Sequence, residues 1–239
     1  MPSVYDCAVI CEDVYSAQTG RRATARGWQR TGPTCGSYDN GFFGAMYQKG
    51  DSHIVAFRGT EPTDLGDLAA DAEMGPGSSQ VPAGQTSAAM TFMDACINRA
   101  GEQIKIVSGH SLGGALAKVA SQRRDRLAIA FNAPYIGGLS GAVAMTSMLI
   151  HNYNANLDPV SGVTDAIGHI EEGQTTVVTV QPPSRWISAV GATGPVRALA
   201  AGAYIAYHYH SMENLREAIG NRRGLNREVQ IPEGVAGES

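Results

Sequence analysis

The chain has 239 residues, 43% of them hydrophobic, so it can bury a core without metal ions or disulfide staples. Its formal charge is only −4 and it contains no long run of lysine or arginine, which argues against nucleic acid as the main partner. The four cysteines are too few to indicate a disulfide scaffold. Cys7 and Cys11 would share a helix face, and we expect all four to be buried thiols.

Strand and helix patterns alternate along the chain, which predicts an α/β architecture with a mainly parallel sheet. In chain order, helices are predicted over Val4–Gln18, Gly84–Ala100, Leu112–Arg124, Gly141–Leu149 and Ser211–Asn221. Strands are predicted over Gly41–Gln48, His53–Phe57, Ile104–Val107, Leu127–Phe131, His151–Asn154 and Thr175–Val180. Ser211 is its expected N-cap, with Asn214 at the third position. Gly75–Gly84 is predicted to be a loop, Ser184–Ala206 a long insertion and Arg222–Ser239 a peripheral tail.

The pentapeptide Gly109-His110-Ser111-Leu112-Gly113 has the form Gly-x-Ser-x-Gly and stands between an apolar strand and a helix-forming run. A turn this sharp leaves no room for side chains two places either side of the serine. It holds Ser111 above the sheet at a helix N-terminus, where negative charge is favoured. We therefore predict Ser111 as a nucleophile, with the backbone N–H of Leu112 facing a developing oxyanion. A glycine-rich turn without chemistry is the alternative.

Three other stretches accompany the elbow sequence Gly109–Ala117. They are Ile54–Thr60, Asp67–Asp71 and Phe131–Pro134. Together they resemble the class 3 lipases, the fungal triacylglycerol lipase type, over about residues 41–159. Two departures stand out: Leu68 replaces a tryptophan in the segment beside that family's lid, and Asn132 replaces a glycine at the end of a strand.

The resemblance implies an α/β-hydrolase fold, with a mainly parallel central sheet, flanking helices and lid-like loop insertions. One domain would then span residues 1–239, with residues 222–239 as its tail. The resemblance also implies that Thr60, after Arg58 and Gly59, builds the oxyanion hole together with Leu112. Thr60 would offer its backbone N–H, with its hydroxyl as a second candidate donor.

A serine nucleophile needs a base, and the base needs an orienting carboxylate. In an α/β-hydrolase these follow the serine in the order acid, then histidine. Asp158 comes just after the strand His151–Asn154, in a stretch that is similar to the family's Asn-x-x-Asp-Pro-Val, and is the predicted acid. Asp165 is its rival. Asp158 could also serve only to begin the turn before Pro159.

Four of the six histidines are unsuited to the role of base. His53 and His151 lie near strand starts, His110 is the variable elbow residue and points away from substrate, and His169 follows the acid too closely. Of the remaining two, His210 directly precedes a helix and its surroundings resemble the family's terminal histidine segment. We predict His210 as the base, with His208 as the rival.

These residues together predict attack on an ester carbonyl through an acyl-enzyme. The resemblance implies a lipid ester, either an acylglycerol or a phospholipid. The segment Ile187–Tyr209 could line an acyl groove or touch a membrane surface, or it could equally be a helix packed in the core. A non-catalytic acyl-binding or interaction module, and a thioesterase or amidase with the same triad, are the alternative functions.

No His-x-x-x-His or Cys-x-x-Cys spacing indicates a metal, and the triad requires no cofactor. Met1–Glu12 lacks the features of a secretory signal, and no apolar run reaches the length of a membrane span. The expected locations are the cytoplasm, or the outside by a signal-independent route. Small bacterial toxins with this elbow are exported in that way. For such a toxin an inhibitor or immunity protein is an expected partner.

Overall fold

A computed structural model describes residues 1–16, 20–36, 41–59, 81–136, 147–161, 173–182, 204 and 207–230, with the side chains of 34–36 and 147 excepted. The structure's α-helices with both ends inside these ranges are α1 (Val4–Asp13), α2 (Arg21–Ala25), α3 (Ala83–Ala100), α4 (Leu112–Arg124) and α5 (Met212–Gly220). Its strands are β1 (Gln29–Gly36), β2 (Phe43–Lys49), β3 (Ser52–Phe57), β4 (Ile104–His110), β5 (Leu127–Phe131), β6 (Ile150–Ala155) and β7 (Gln174–Val178). Short 3₁₀ turns cover Gly101–Gln103, Ser147–Leu149 and Arg223–Asn226.

The seven strands form one sheet whose spatial order follows the sequence, from β1 to β7. The pairs β1–β2 and β2–β3 are antiparallel, and every pair from β3 to β7 is parallel. The predicted mainly parallel α/β sheet is thereby confirmed. Because β3 to β7 run in the same direction, the residues that follow β3, β4, β5 and β6 meet at one end of the sheet, where these strands finish.

Helices cover both faces of this sheet. On one face α1 and α5 pack against Ile54, Ile106 and Ile129. On the other, α3 and α4 pack against Val55 and Val107. Adjacent strand residues point to opposite faces, so β3 and β4 contribute apolar side chains to both cores. This explains why β5 is a continuous apolar run rather than an alternating one.

The first predicted helix begins at Val4 as expected, but it ends at Asp13 rather than Gln18. The helix closes in a tighter turn over residues 14–16, where the Ser16 N–H donates to the Asp13 carbonyl, three residues back. The guanidinium of Arg30, in β1, donates to the backbone carbonyls of Asp13 and Ser16 at this turn. Its Nη2 also lies 3.1 Å from the Asp13 carboxylate, in a buried ion pair.

The sequence pattern did not reveal α2 or β1. Strand β1 contains Pro33 and Gly32, the latter with a φ of 84°, and its register with β2 shifts between Arg30 and Thr34. Proline and glycine are tolerated in a strand at a sheet edge or a bulge, and β1 provides both. With Gly36 at its end, the eight-residue strand contains three such residues, which remove the usual strand signal.

The remaining predicted elements are confirmed to within a few residues where they are described. Ser211 caps α5, and its side chain accepts from the backbone N–H of Asn214. The predicted helix Gly141–Leu149 falls mostly outside the described residues, and its end, Ser147–Leu149, is a 3₁₀ turn. The insertion Ser184–Ala206 and most of the Gly75–Gly84 loop also lie outside.

The described part of the predicted tail contacts the start of the chain. Val229 is buried and its backbone N–H donates to the Pro2 carbonyl at 2.8 Å, while Ser3 and Glu228 form a bridge. Cys7, Cys11 and Cys96 are buried free thiols, as predicted, and the Cys35 side chain is outside the described set. No helix within the described ranges is long and apolar enough to cross a membrane.

Candidate active site

Ser111 occupies the turn that joins β4 to α4. Its φ of 56° and ψ of −129° fall in a region that residues other than glycine rarely adopt, which marks the strained turn expected of a nucleophile elbow. The backbone N–H of Ser111 donates to the Phe131 carbonyl at 2.9 Å, which fastens the turn to β5. Its side-chain oxygen is buried and has no hydrogen-bond partner among the described residues.

The glycines of the elbow are required by space. A Cβ on Gly109 would lie 2.1 Å from the Gly113 carbonyl oxygen, and one on Gly113 would lie 2.3 Å from the Phe57 carbonyl oxygen. Gly59, after β3, is similarly close: its Cβ would come within 3.2 Å of the Ser111 Cβ. The end of β3 therefore lies against Ser111. Leu112, the first residue of α4, has a backbone N–H with no acceptor inside the helix.

Asp158 lies three residues beyond β6 and is nearly fully buried. Its Oδ2 accepts from the backbone N–H of Ser161 at 2.7 Å and from the Ser161 hydroxyl at 2.6 Å. Residues 159–161 are helical, so Asp158 acts as an N-cap with Pro159 at the first helical position, where proline is favoured. One carboxylate oxygen is thus held by the turn, and Oδ1 is left to point elsewhere.

Asp158 Oδ1 meets His210 Nδ1 at 2.6 Å, within a pair that is almost completely buried. The other ring nitrogen, Nε2, is buried and has no hydrogen-bond partner among the described residues. Ser111 Oγ and His210 Nε2 are therefore not bonded to each other in this structure. Such catalytic contacts are often long in the absence of substrate and tighten when it binds.

His110 forms a second contact with the base that sequence reasoning did not identify. Its ring centroid lies 4.7 Å from that of His210, and its Nε2 lies 2.7 Å from the His210 carbonyl oxygen. Burial and the neighbouring His210 ring hold the pKa of His110 well below its usual range, so this imidazole is neutral. A carbonyl only accepts, so Nε2 carries the proton and donates.

The other His110 nitrogen completes the chain of bonds. Nδ1 must then accept, and it lies 3.1 Å from the Tyr15 hydroxyl. That hydroxyl accepts in turn from the backbone N–H of Gly59 at 3.1 Å. Tyr15 and His110 thus connect the end of β3 to His210. The contacts join residues 44, 95 and 100 positions apart, so no local spacing in the sequence predicts them.

The rival histidines lie elsewhere. His208 is partly exposed, its Nε2 lies 2.7 Å from the Gln181 carbonyl oxygen, and its Nδ1 is 3.1 Å from the Asn214 side-chain nitrogen. His53 and His151 lie near the starts of β3 and β6, at the sheet end away from Ser111, as predicted. His169 and the rival acid Asp165 lie outside the described residues.

Thr60 and the lid-like segment Asp67–Asp71 lie outside the described residues. Of the segment Ile187–Tyr209 only the end is described: Tyr204 and Tyr207 are exposed and Tyr209 is buried. Within the described ranges, no three histidine, cysteine, aspartate or glutamate side chains cluster as a metal site would require.

The sequence matches a family model described as a Tle-like phospholipase domain over residues 6–166. That range includes Ser111 and Asp158 and ends before His210. No curated protein matches the sequence. The likeness to solved structures is stronger in fold than in sequence, and three fungal lipases illustrate it.

A lipase from Rhizopus microsporus var. chinensis has a TM-score of 0.53 and 17% identity, with 75% of this chain and 74% of that chain covered. A triacylglycerol lipase from Penicillium expansum has a TM-score of 0.54 and 16% identity, over 74% of this chain and 79% of that one. The propeptide complex of Rhizomucor miehei lipase has a TM-score of 0.57 and 16% identity, over 74% and 67%. At such identities the likeness establishes the α/β-hydrolase-type fold.

Proposed function

This chain belongs to the family of Tle-like phospholipase domains and is a lipid ester hydrolase, and we propose that it cleaves phospholipid esters through an acyl-enzyme on Ser111. The observation that carries the proposal is the buried pair of His210 and Asp158, joined at 2.6 Å, whose second imidazole nitrogen is left without a partner among the described residues. Further support comes from Ser111, which follows His110, the residue whose ring contacts that of His210: it lies in a strained elbow, and its hydroxyl has no partner among the described residues.

In the proposed mechanism His210 is the general base. Its Nε2 takes the proton from Ser111 Oγ as that oxygen attacks the ester carbonyl, and later gives it to the departing alcohol. Asp158 accepts from Nδ1–H, which fixes the tautomer that leaves Nε2 able to accept, and it stabilises the imidazolium that forms. Water then attacks the acyl carbon and loses a proton to the same nitrogen. The bond to Ser111 Oγ breaks, the proton returns to that oxygen, and the fatty acid leaves.

The negative charge on the carbonyl oxygen needs donors that are already in place. We assign this role to the backbone N–H of Leu112, at the start of α4, and to Thr60. Two features support Thr60: it follows Gly59, which lies against Ser111, and the Arg58-Gly59-Thr60 sequence resembles the oxyanion strand of class 3 lipases. The helix N-terminus adds a favourable dipole at the same point.

The substrate proposal extends to partners. A phospholipid is presented in a membrane surface, so we expect the enzyme to act at a lipid–water interface. An enzyme that cleaves phospholipids endangers the membranes of the cell that makes it. If the chain is exported, an inhibitor or immunity protein in the producing cell is therefore the partner we propose.

The test is a substrate panel assayed with wild type and Ser111→Ala. We expect fatty-acid release from phosphatidylglycerol or phosphatidylethanolamine vesicles to exceed release from a triacylglycerol emulsion, an acyl thioester or an anilide. Ser111→Ala should keep the wild-type melting temperature and lose about 10⁴-fold in kcat, as a removed triad nucleophile does. Hydrolysis within tenfold of wild type in Ser111→Ala would overturn the mechanism. A preference for the thioester or anilide would overturn the substrate.

A further inference from the structure

Asn132 stands at the end of β5, and its side chain is completely buried. Its φ of 45° lies in the left-handed region, which glycine adopts freely and asparagine more readily than most residues. Glycine would therefore satisfy the backbone here, and it is the residue found in the similar stretch of class 3 lipases. The backbone explains a residue of this kind at position 132, but it does not explain the amide.

The amide contacts the backbone of His210 and of Ala155, the strand end three residues before Asp158. Its Oδ1 accepts from the backbone N–H of Ala155 at 2.8 Å. Its Nδ2 donates to the backbone carbonyls of Tyr209 at 3.0 Å and of His210 at 3.3 Å. The partners fix its orientation, because the reversed amide would set NH₂ against an N–H and its oxygen against two carbonyls.

These bonds belong to a closed ring. Ala155, the last residue of β6, accepts through its carbonyl from the backbone N–H of Asp158 at 3.1 Å. Asp158 binds His210 through its side chain, and the His210 carbonyl returns to Asn132. The ring contains the acid, the base and the side chain that joins the segments carrying them. The amide oxygen of Asn132 binds the segment that carries the acid, and the amide nitrogen binds the segment that carries the base.

The ring lies in the protein interior, where an unpaired polar group is costly and a satisfied one rigidifies its surroundings. Removal of the amide would leave the Ala155 N–H without this acceptor and would remove the hydrogen bond to the Tyr209 carbonyl. His110 would still donate to the His210 carbonyl, so that carbonyl would keep one of its two donors. We expect such a change to shift the acid and base relative to each other rather than to unfold the chain.

We propose that Asn132 is a positioning residue that fastens the acid-bearing loop to the base-bearing segment and so sets the Asp158–His210 pair for Ser111. It touches no reacting atom. The inference rests on the proposed function, since it assigns a role to Asn132 only if those three residues form the working triad.

The main variant is Asn132→Gly, which suits the left-handed backbone and removes only the amide. We expect kcat to fall about 10–100-fold, because displacements of about 1 Å in a catalytic constellation cost this much, and KM to stay within about threefold. Asn156→Ala is the matched control: it removes an amide that lies in the loop of Asp158 and accepts from the Val180 N–H, with no hydrogen bond to His210 within the described ranges. Its kcat should stay within about twofold of wild type.

A double-mutant cycle separates positioning from mere stability. In an Asp158→Asn background the acid no longer supports the base. Adding Asn132→Gly to that variant should therefore lower kcat by less than about a further threefold. A loss there as large as in wild type would mean that the amide supports the fold alone, and would overturn the proposal. Full activity of Asn132→Gly would overturn it as well.

Asn132→Asp serves if Asn132→Gly does not fold. Aspartate tolerates the same backbone and keeps an acceptor for Ala155, but its second oxygen would face the two carbonyls that Nδ2 now binds. Its kcat should fall at least as far as expected for Asn132→Gly. Activity within threefold of wild type, or failure of both variants to fold, would overturn the inference. Parallel assays of wild type and Ser111→Ala separate this outcome from failure of the proposed function, which would appear as ester hydrolysis that does not require Ser111.

Discussion

At the scale of single residues, the orientation of the His210 ring determines which of its two nitrogens can accept a proton. His210 binds Asp158 through Nδ1 and keeps Nε2 for a proton from Ser111, if the proposed triad operates. His208 has neither property, because both of its ring nitrogens lie within hydrogen-bond distance of other groups: the Gln181 carbonyl and the Asn214 side chain. The two histidines are two positions apart, yet only one contacts a buried carboxylate.

The variants His210→Ala and His208→Ala should therefore behave very differently. We expect His210→Ala and Asp158→Asn each to lower kcat by about 10³–10⁴, and their double variant to be hardly worse than His210→Ala, since a triad acts as a unit. His208→Ala should remain within about tenfold of wild type. Steady-state hydrolysis of a p-nitrophenyl ester measures all four. An inactive His208→Ala beside an active His210→Ala would reverse the assignment of the base.

The sequence alone led to Ser111, Asp158 and His210 because each belongs to a local pattern with a fixed place in chain order. It did not lead to Tyr15 or to the role of His110. The bond between these two joins residues 95 positions apart and depends on how the end of α1 passes the elbow. Residues that support a site are found by their contacts, and those contacts exist only once the chain has folded.

At the scale of elements, the nucleophile depends on the close approach of three backbones. The end of β3, the end of β4 and the first turn of α4 pass so near each other that Gly109 and Gly113 have no room for a Cβ. The strain at Ser111 is maintained by this packing and by the bond from its N–H to the Phe131 carbonyl. The elbow is thus a property of β3, β4, α4 and β5 together.

Gly113→Ala tests this packing. The new Cβ would lie 2.3 Å from the Phe57 carbonyl oxygen and 2.8 Å from the Arg58 carbonyl carbon, both backbone atoms that cannot rotate away. We expect a loss of at least about 2 kcal/mol in the free energy of unfolding. For a chain of this size that lowers the melting temperature by about 4–8 °C in a calorimetric scan.

Gly224→Ala is the matched control, because nothing lies within 4 Å of its Cβ position. Its melting temperature should be unchanged or slightly higher, since alanine reduces the entropy of the unfolded chain. Equal melting temperatures for Gly113→Ala and wild type would contradict the close approach described at the elbow.

The elements themselves were predictable where apolar periodicity is clear. Helix α4 and strand β5 have the predicted bounds, because each is a regular apolar pattern between recognisable ends. The predicted end of α1 was wrong because the helix closes in a tighter turn over residues 14–16, and Arg30, from strand β1, binds two carbonyls of that turn. Strand β1 was missed because its proline and glycine are acceptable only at the sheet edge, a position that the sequence does not state.

At the scale of the whole molecule, strand order brings the site together. Since β3 to β7 are parallel and neighbour each other in sequence order, the segments after β3, β4, β5 and β6 leave the sheet at the same end. They carry Gly59, Ser111, Asn132 and Asp158. His210 belongs to the C-terminal segment, whose helix α5 packs on α1. Arg216 of α5 pairs with Glu12 of α1. Helices from both ends of the sequence therefore position His210.

The central claim, that Ser111 is the nucleophile of a triad with His210, is tested most directly by labelling with a fluorophosphonate. This probe reacts with an activated serine and leaves a stable adduct. Cleavage after Lys105 and Lys118 gives a peptide, residues 106–118, that contains Ser108 and Ser111. Ser108 is buried and donates to the Ile129 carbonyl, so it provides an internal control.

The measurement is tandem mass spectrometry of that peptide from wild type, Ser111→Ala and His210→Ala. We predict one adduct per chain, located on Ser111, absent in Ser111→Ala and formed at least about 10³-fold more slowly in His210→Ala. An adduct on another serine, or labelling of Ser111 at an undiminished rate in His210→Ala, would contradict the account.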